Sequence, residues 1–206
     1  MERVIELLQQ TGALLPNDHF VGTSGLHFDT YINKDALFPH TKETAEIGTL
    51  FAEKIKDLDV EVIAAPAMGG IILSQWTAYY LSQIKNKEIF GIYAEKKNGE
   101  LQFTRGYDAY LPGKKVAVIE DLTTTGGSLK KVIDLARSAG ADVIAASVMV
   151  NKDPVNVTSE FFGVPFLPLA EYPVKTYASD TCELCKQGIP VNTSIGHGKE
   201  FVESKK

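Results

Sequence analysis

The sequence predicts an α/β fold, a central and mostly parallel sheet flanked by helices on both faces. Three observations carry that expectation. Short apolar strands alternate with amphipathic helices through the middle of the chain. The strands VEVIAAP, EIFGIYAE, VAVIED and DVIAASVMV read as almost unbroken apolar runs, as strands covered on both faces do. The 206 residues, 44% of them hydrophobic, match a single domain of ordinary size with a sizeable core.

In order along the chain, MERVIELLQQTGALL places Val4, Leu7 and Leu8 at helical spacing, and Glu6, Gln9 and Gln10 interrupt any secretory leader. Residues 41–57 open with Thr41 as the expected N-cap, and Ala45, Ile47, Leu50, Phe51 and Ile55 form an apolar stripe. VEVIAAP is the next strand; AMGG and a helix through IILSQWTAYYLSQI follow it. EIFGIYAE is another strand. Between Ala94 and Lys115 a long stretch without a crossover helix contains Asn98-Gly99 flanked by YAEKK and ELQFTR, a strong hairpin signal. An excursion of that length from a compact domain reads as a lid or binding loop. VAVIED then leads into the helix SLKKVIDLARSAG, where Leu129, Val132, Ile133 and Ala136 share one face and Gly140 stands at the C-cap. DVIAASVMV follows. The last forty or so residues, rich in Pro, Gly and Thr, read as irregular structure packed beside the N-terminal segment. The expected organisation is an N-terminal hood segment over 1–35, a core over 36–162 with a lid at 94–112, and a C-terminal hood segment over 163–206.

Charge and cysteine content narrow the function. Lys and Arg number 21 against 26 Asp and Glu, a net charge of -5, and basic residues cluster no further than pairs such as Lys96-Lys97. Phosphate-backbone binding usually needs a basic face, so nucleic acid is not the expected partner. No apolar run approaches the roughly 18 residues that a membrane-spanning helix needs, so no membrane partner is expected either. Two cysteines exclude a disulfide scaffold at this length and suit a reducing, cytoplasmic compartment.

The stretch VAVIEDLTTTGGSLKK, residues 116–131, carries most of the chemistry. In an open parallel sheet, ligands sit beyond the carboxyl ends of the strands, where helix N-termini point their amides outward. Gly126 and Gly127 let the chain bend and a ligand approach. Thr123, Thr124, Thr125 and Ser128 supply hydroxyls without bulk, and together they suit a phosphomonoester. Glu120 and Asp121, expected at the rim, could accept hydrogen bonds from vicinal sugar hydroxyls, hold Mg²⁺ through water or stabilise a cationic carbon. A phosphorylated sugar fits both halves, and a plain solvated strand-to-helix turn is the alternative. The chain has neither G-x-x-x-x-G-K-[ST] nor G-x-G-x-x-G.

VIEDLTTTGGS resembles the phosphoribosyl-pyrophosphate signature of type I phosphoribosyltransferases. HFVGTSGLHFDTYINKDAL, APAMGG and CELCKQGIPV are similar to segments of the orotate-specific members, so the resemblance covers most of the chain. It implies a type I phosphoribosyltransferase-like fold and Mg²⁺-dependent transfer of a 5-phosphoribosyl group from phosphoribosyl pyrophosphate to orotate. It also implies that Glu120 and Asp121 bind the ribose hydroxyls and that residues from Thr123 to Ser128 wrap the 5′-phosphate, with Thr124 near the base. Ala67, Met68, Gly69 and Gly70 would read pyrophosphate through backbone amides. Thr23, Ser24, Gly25 and Lys152 would lie toward the base. Lys96, Lys97 and Arg105 are the lid cations, acting in the family across a homodimer. No direct metal ligand is implied; substrate would hold the magnesium, with a water reaching Asp121.

Several positions depart from the family pattern. The lid reads EKKNGELQFTRG without the usual histidine, Thr23 and Gly69 stand where lysines are common, and Lys152 replaces an arginine. A purine-base transferase or a non-catalytic phosphoribosyl-pyrophosphate-binding regulator therefore stays open beside the orotate enzyme. Cys182 and Cys185 form half of a zinc set, with His197 downstream, but a closed site needs four ligands and the chain has no second cysteine pair. Reduced, partly buried thiols are expected. His27 lies in the segment expected near the base, and His19 and His40 read as structural.

Overall fold

The structure, a computed structural model, describes residues 2–22 and 24–205. Helix α1 (Glu2–Gln10) buries Val4, Leu7 and Leu8, the face its spacing predicts. Strands β1 (Leu14–Val21) and β2 (His27–Ile32) pair antiparallel, and a short helix α2 (Lys34–Leu37) leads to α3 (Thr41–Ile55). There the cap falls one residue earlier than expected. His40 is the N-cap and makes no side-chain cap bond, while Thr41 is already helical.

Next come β3 (Val62–Pro66), α4 (Gly69–Lys85), β4 (Phe90–Lys97), β5 (Glu100–Gln102) and a 3₁₀ turn over Tyr107–Tyr110. Strand β6 (Lys115–Thr123), α5 (Gly127–Ser138) and β7 (Asp142–Asn151) complete the alternating part. The C-terminal region is less irregular than its composition suggests: it holds α6 (Ser159–Phe162), β8 (Ala170–Glu171), β9 (Thr176–Tyr177), α7 (Glu183–Lys186) and α8 (Gly198–Glu203).

Six strands form one sheet in the order β5-β4-β3-β6-β7-β8, and every pairing in it is parallel except β4 with β5. Its neighbours in sequence point to opposite faces, and both faces are covered. Ile63, Ala65, Ala117, Ile119 and Met149 pack on the side of α1, α3 and α4, while Val62, Ala64, Val116, Val118 and Val148 pack under α5. That two-sided burial is the physical source of the apolar runs in the sequence. At Gly48 helices α3 and α4 come so close that an added Cβ would overlap the Trp76 side chain.

The second sheet, β1-β2-β9, joins the two ends of the chain. His27 pairs with Tyr177 and Phe28 with Thr176. Two backbone bonds fasten the C-terminal segment to β1: Asn192 N–H donates to His19 O at 2.8 Å and His197 N–H to Val21 O at 2.9 Å. No helix among the described residues is long and apolar enough to cross a membrane.

Candidate active site

The central parallel strands end at one edge of the sheet, and the loops that leave them gather there. The loop after β3 holds residues 67–70, the turn after β6 holds 124–126, Lys152 follows β7, and β4 runs straight into the hairpin. Helix N-termini α4 and α5 start from the first two of these loops, so their free amides open on the same space.

The turn after β6 is built from within. Thr123 is buried, and its Oγ1 accepts the Gly126 N–H at 2.9 Å. It thereby holds the turn, and its own O–H remains a donor. Gly126 has φ of 73°, and a Cβ there would stand 2.6 Å from the Phe161 ring, so both the backbone and the space require glycine. Thr125 and Ser128 are exposed, and Thr124 is half-buried.

Glu120 and Asp121 lie inside β6 and are buried, 9% and 8% exposed, rather than at a solvated rim. They also face opposite ways. Glu120 sits under α5, where it meets the Leu129 backbone; burial first and the Asp121 charge second push its carboxyl up to about 8. Asp121 sits on the α4 side. Its Oδ1 accepts the Leu122 N–H at 2.6 Å, and Lys34 Nζ lies 3.8 Å from Oδ2. Burial raises this carboxyl too, and Lys34 pulls against the rise.

In the 67–70 loop, Met68 is 79% exposed and the Ala67–Met68 peptide is cis. Gly69 abuts the Asp121 carboxylate so closely that a Cβ would overlap Oδ2, and Gly70 packs on Ala65. A lysine at position 69 would therefore need the acid to move.

Beside the turn after β6 opens a cavity of about 420 Å³. Its walls come from the β1-β2-β9 sheet and from the strand ends together. Phe28 and Tyr31 give flat apolar faces, Lys34 and Lys152 give positive charge, and Thr124 and His197 add polar groups. Lys152 is fixed by its N–H, which donates to Thr123 O at 2.8 Å. Burial pulls its ammonium below the usual lysine range, and Asp121 works in the opposite direction. Such a cavity suits a small, planar, anionic ring.

Of the residues singled out from sequence, the structure brings Ser24, Thr124, Thr125 and Lys152 to the cavity wall and gathers Glu120, Asp121, Gly126, Gly127, Ser128 and the 67–70 loop at the adjoining strand ends. Gly25 forms a turn at φ of 75°, and Thr23 lies outside the described residues. The hairpin forms as predicted, with Lys97 opposite Glu100 and positive φ at Asn98 and Gly99. Its cations stay away from the cavity, however. Lys96 and Lys97 are exposed, and Arg105 turns onto Glu95, with Nε 3.1 Å from Oε1. Phe28, Tyr31 and Lys34 lie in the segment HFVGTSGLHFDTYINKDAL but are not singled out within it, and from sequence His197 stands out only as a metal-ligand candidate; the pairing of β2 with β9 brings them to one cavity. His27 turns away from the cavity toward His19.

Comparison with known proteins agrees with the fold. The family model of the phosphoribosyl transferase domain matches residues 33–156. The chain is 40% identical over 193 residues to an orotate phosphoribosyltransferase of Thermotoga maritima, covering 94% of this chain and 97% of the relative. It is 34% identical over 190 residues to that of Caldanaerobacter subterraneus subsp. tengcongensis, covering 92% and 94%. Among solved structures, an orotate phosphoribosyltransferase of Mycobacterium tuberculosis in complex with inorganic phosphate is similar in fold, with a TM-score of 0.63 at 18% identity over 83% of this chain and 96% of that one.

Proposed function

The chain belongs to the phosphoribosyltransferase family, and from that premise we propose that it transfers the 5-phosphoribosyl group of phosphoribosyl pyrophosphate to orotate, giving orotidine 5′-phosphate and pyrophosphate in pyrimidine synthesis. The observation that carries the choice of base is the cavity beside the turn after β6, where Lys34 and Lys152 meet the two rings Phe28 and Tyr31. Orotate is flat and carries a carboxylate; adenine and hypoxanthine carry none. Lys34 is answered in part by Asp35 at 3.2 Å and Asp121 at 3.8 Å, but Lys152 pairs with no carboxylate among the described residues and would be left facing an uncharged purine, at a desolvation cost that an anionic base removes.

In this reading the α5 N-terminus and the 124–128 turn hold the 5′-phosphate, the buried acids orient the ribose hydroxyls, and the 68–70 amides hold pyrophosphate, the Ala67 N–H being taken by Ala94 O at 2.7 Å. As pyrophosphate leaves C1, positive charge grows on the ribose and negative charge on the leaving group. The site's contribution is to place fixed dipoles and charges where these develop. Glu120, protonated at neutral pH, can donate to a hydroxyl oxygen, while Asp121 accepts.

Magnesium fits the donor set. Asp121 offers a hard carboxylate oxygen at Oδ2 beside the loop assigned to pyrophosphate, and Mg²⁺ characteristically combines one or two carboxylates with substrate phosphates and water. Bound there by substrate oxygens, with water reaching Asp121, it would neutralise charge on the departing pyrophosphate.

We further infer that the enzyme is a cytoplasmic homodimer whose lid serves the neighbouring subunit, with 1–35 and 163–206 forming the hood over the base. Support for the trans arrangement comes from Lys96, Lys97 and Arg105, none of which lines the cavity of its own chain. Ile72 and Tyr79 are exposed along α4, apolar surface that a second copy could cover. The test of the reaction is the loss of orotate absorbance when phosphoribosyl pyrophosphate and Mg²⁺ are added. Pyrophosphate release with hypoxanthine, xanthine or adenine but not with orotate would assign the chain to purine salvage. Binding of the phosphosugar without turnover on any base would mark a regulator.

A further inference from the structure

On the far side of β2 from the cavity, four side chains from distant parts of the chain converge. His19 and His27 project from the paired strands β1 and β2, and Cys182 and Cys185 come from the start and body of α7. Their ligand-capable atoms all lie within 4.8 Å of one another. Cys182 Sγ is 3.7 Å from His19 Nε2, Cys185 Sγ is 3.8 Å from the same nitrogen, and Cys185 Sγ is 3.5 Å from His27 Nδ1. The partners missing from the C-x-x-C pair are therefore the two hairpin histidines, not a second cysteine pair and not His197, which lines the base cavity.

We propose that these four residues form a structural zinc site that fastens the N-terminal hairpin to the C-terminal segment. Bond lengths of about 2.0–2.1 Å to nitrogen and about 2.3 Å to sulfur put the ligand atoms of tetrahedral zinc about 3.3–3.8 Å apart. The three sulfur–nitrogen separations above fall in that range. The two imidazole nitrogens, His19 Nε2 and His27 Nδ1 at 2.8 Å, must open by about half an ångström as an ion replaces the proton they share. His19 is already oriented as a ligand, because its Nδ1 lies 2.8 Å from Ile189 O, and donating there leaves the Nε2 lone pair facing the cluster. His19, His27 and Cys182 are buried, and His27 Nε2, which has no hydrogen-bond partner among the described residues, takes the proton that the ion displaces from Nδ1. Binding of Zn²⁺ releases two thiol protons to solvent and leaves a neutral site, two thiolates against one dication, which a buried position tolerates.

The ion's position gives it a purpose. His27 is next to Phe28 on β2, and Thr176 of β9 lies six residues before Cys182; Phe28 and Thr176 both line the base cavity. A metal at this point would hold two cavity walls together from behind.

The full chain, expressed in zinc-containing medium and purified with reductant and without chelator, is expected to carry roughly one zinc per chain by elemental mass spectrometry. Replacement by Co²⁺ should give thiolate-to-metal charge transfer and the intense visible bands of a tetrahedral ion. Cys185→Ser, at an exposed residue, should keep the fold by circular dichroism, lose the metal and melt earlier; chelation of the wild type should lower its Tm likewise. A folded, reduced wild type that neither retains zinc nor gives the cobalt bands would overturn the proposal, and so would a Cys185→Ser chain that holds zinc as tightly as the wild type. Metal content and cobalt spectra are read without substrate, so the outcome is independent of which base the enzyme uses.

Discussion

Gly69 and Asp121 share one space: a Cβ on Gly69 would overlap the Asp121 Oδ2 oxygen, so the loop after β3 and the acid of β6 touch with no side chain between them. The loop assigned to pyrophosphate and the carboxylate assigned to the ribose are thereby mechanically joined. Neither can move toward the other without displacing it.

Gly69→Ala tests that junction. Overpacking of this kind costs about 1–3 kcal/mol, and here it displaces a carboxylate rather than a methyl group. The KM for phosphoribosyl pyrophosphate should rise about tenfold or more while the KM for orotate changes little. Unchanged donor kinetics would show that the contact has no bearing on the donor site.

Asp121→Asn keeps the shape and removes the charge. Turnover should fall on the order of a hundredfold, as when one electrostatic contact to a transition state is lost. Stability should hold or rise, because burial disfavours the charged form. Steady-state kinetics and a melting curve on the same sample separate the two effects, and full turnover would remove Asp121 from the catalytic set.

The pH dependence of stability follows from Glu120. Its carboxyl titrates near 8 in the folded chain and near the ordinary 4.5 when unfolded, so between these values the native state binds the extra proton. Stability should fall as pH rises through that window and level off above about 8. Denaturant titrations of the substrate-free chain across the range should show the decline, and Glu120→Gln should make it shallower, leaving the part that Asp121, also raised by burial, contributes. An equal slope in that variant would mean another group is responsible.

Lys34 and Lys152 are expected to recognise the base carboxylate. Losing a charge-assisted hydrogen bond costs about 1.5–3 kcal/mol, so Lys152→Ala should raise the orotate KM roughly ten- to a hundredfold and Lys34→Ala should follow the same direction. Lys152→Arg should recover part of the loss. If both alanine variants bound orotate normally, the carboxylate must point elsewhere.

Subunit mixing addresses the lid. A chain with Lys96→Ala and Lys97→Ala and a chain with Asp121→Asn should each be nearly inactive alone. Co-refolded in equal amounts, random pairing places one intact site in each mixed dimer, returning about a quarter of wild-type activity. No recovery, with mixed dimers demonstrated by mass, would place the lid over its own subunit's site.

How far the sequence could be read depended on where the signal is stored. Strands β3, β4, β6 and β7 were legible because burial on both faces leaves an apolar run, and the Asn98-Gly99 turn because positive φ at two successive residues demands that chemistry. Glu120 and Asp121 were found by their place after an apolar run, but their depth was not, since burial depends on α2, α4 and α5 closing over them. Strand β1 gave little sign of itself: Pro16, Asn17 and Asp18 interrupt it, and its register shifts between Pro16 and Phe20. The α3 cap was misplaced because a favourable residue, Thr41, stands next to the position that the chain uses. Lys34 beside Lys152, and His19 and His27 beside the C-x-x-C pair, are juxtapositions made by the β1-β2-β9 sheet, and no local pattern encodes them.

That sheet also fixes the order in which a growing chain acquires its parts. The loops assigned to the sugar phosphate lie between Val62 and Lys152, and Phe161, which packs on Gly126, follows soon after, so this half of the site can assemble once α6 has left the ribosome. The base-binding half waits for Thr176, Gly196 and His197, which emerge later. A nascent chain stalled before then would hold the donor's cradle with one wall of the acceptor pocket still missing.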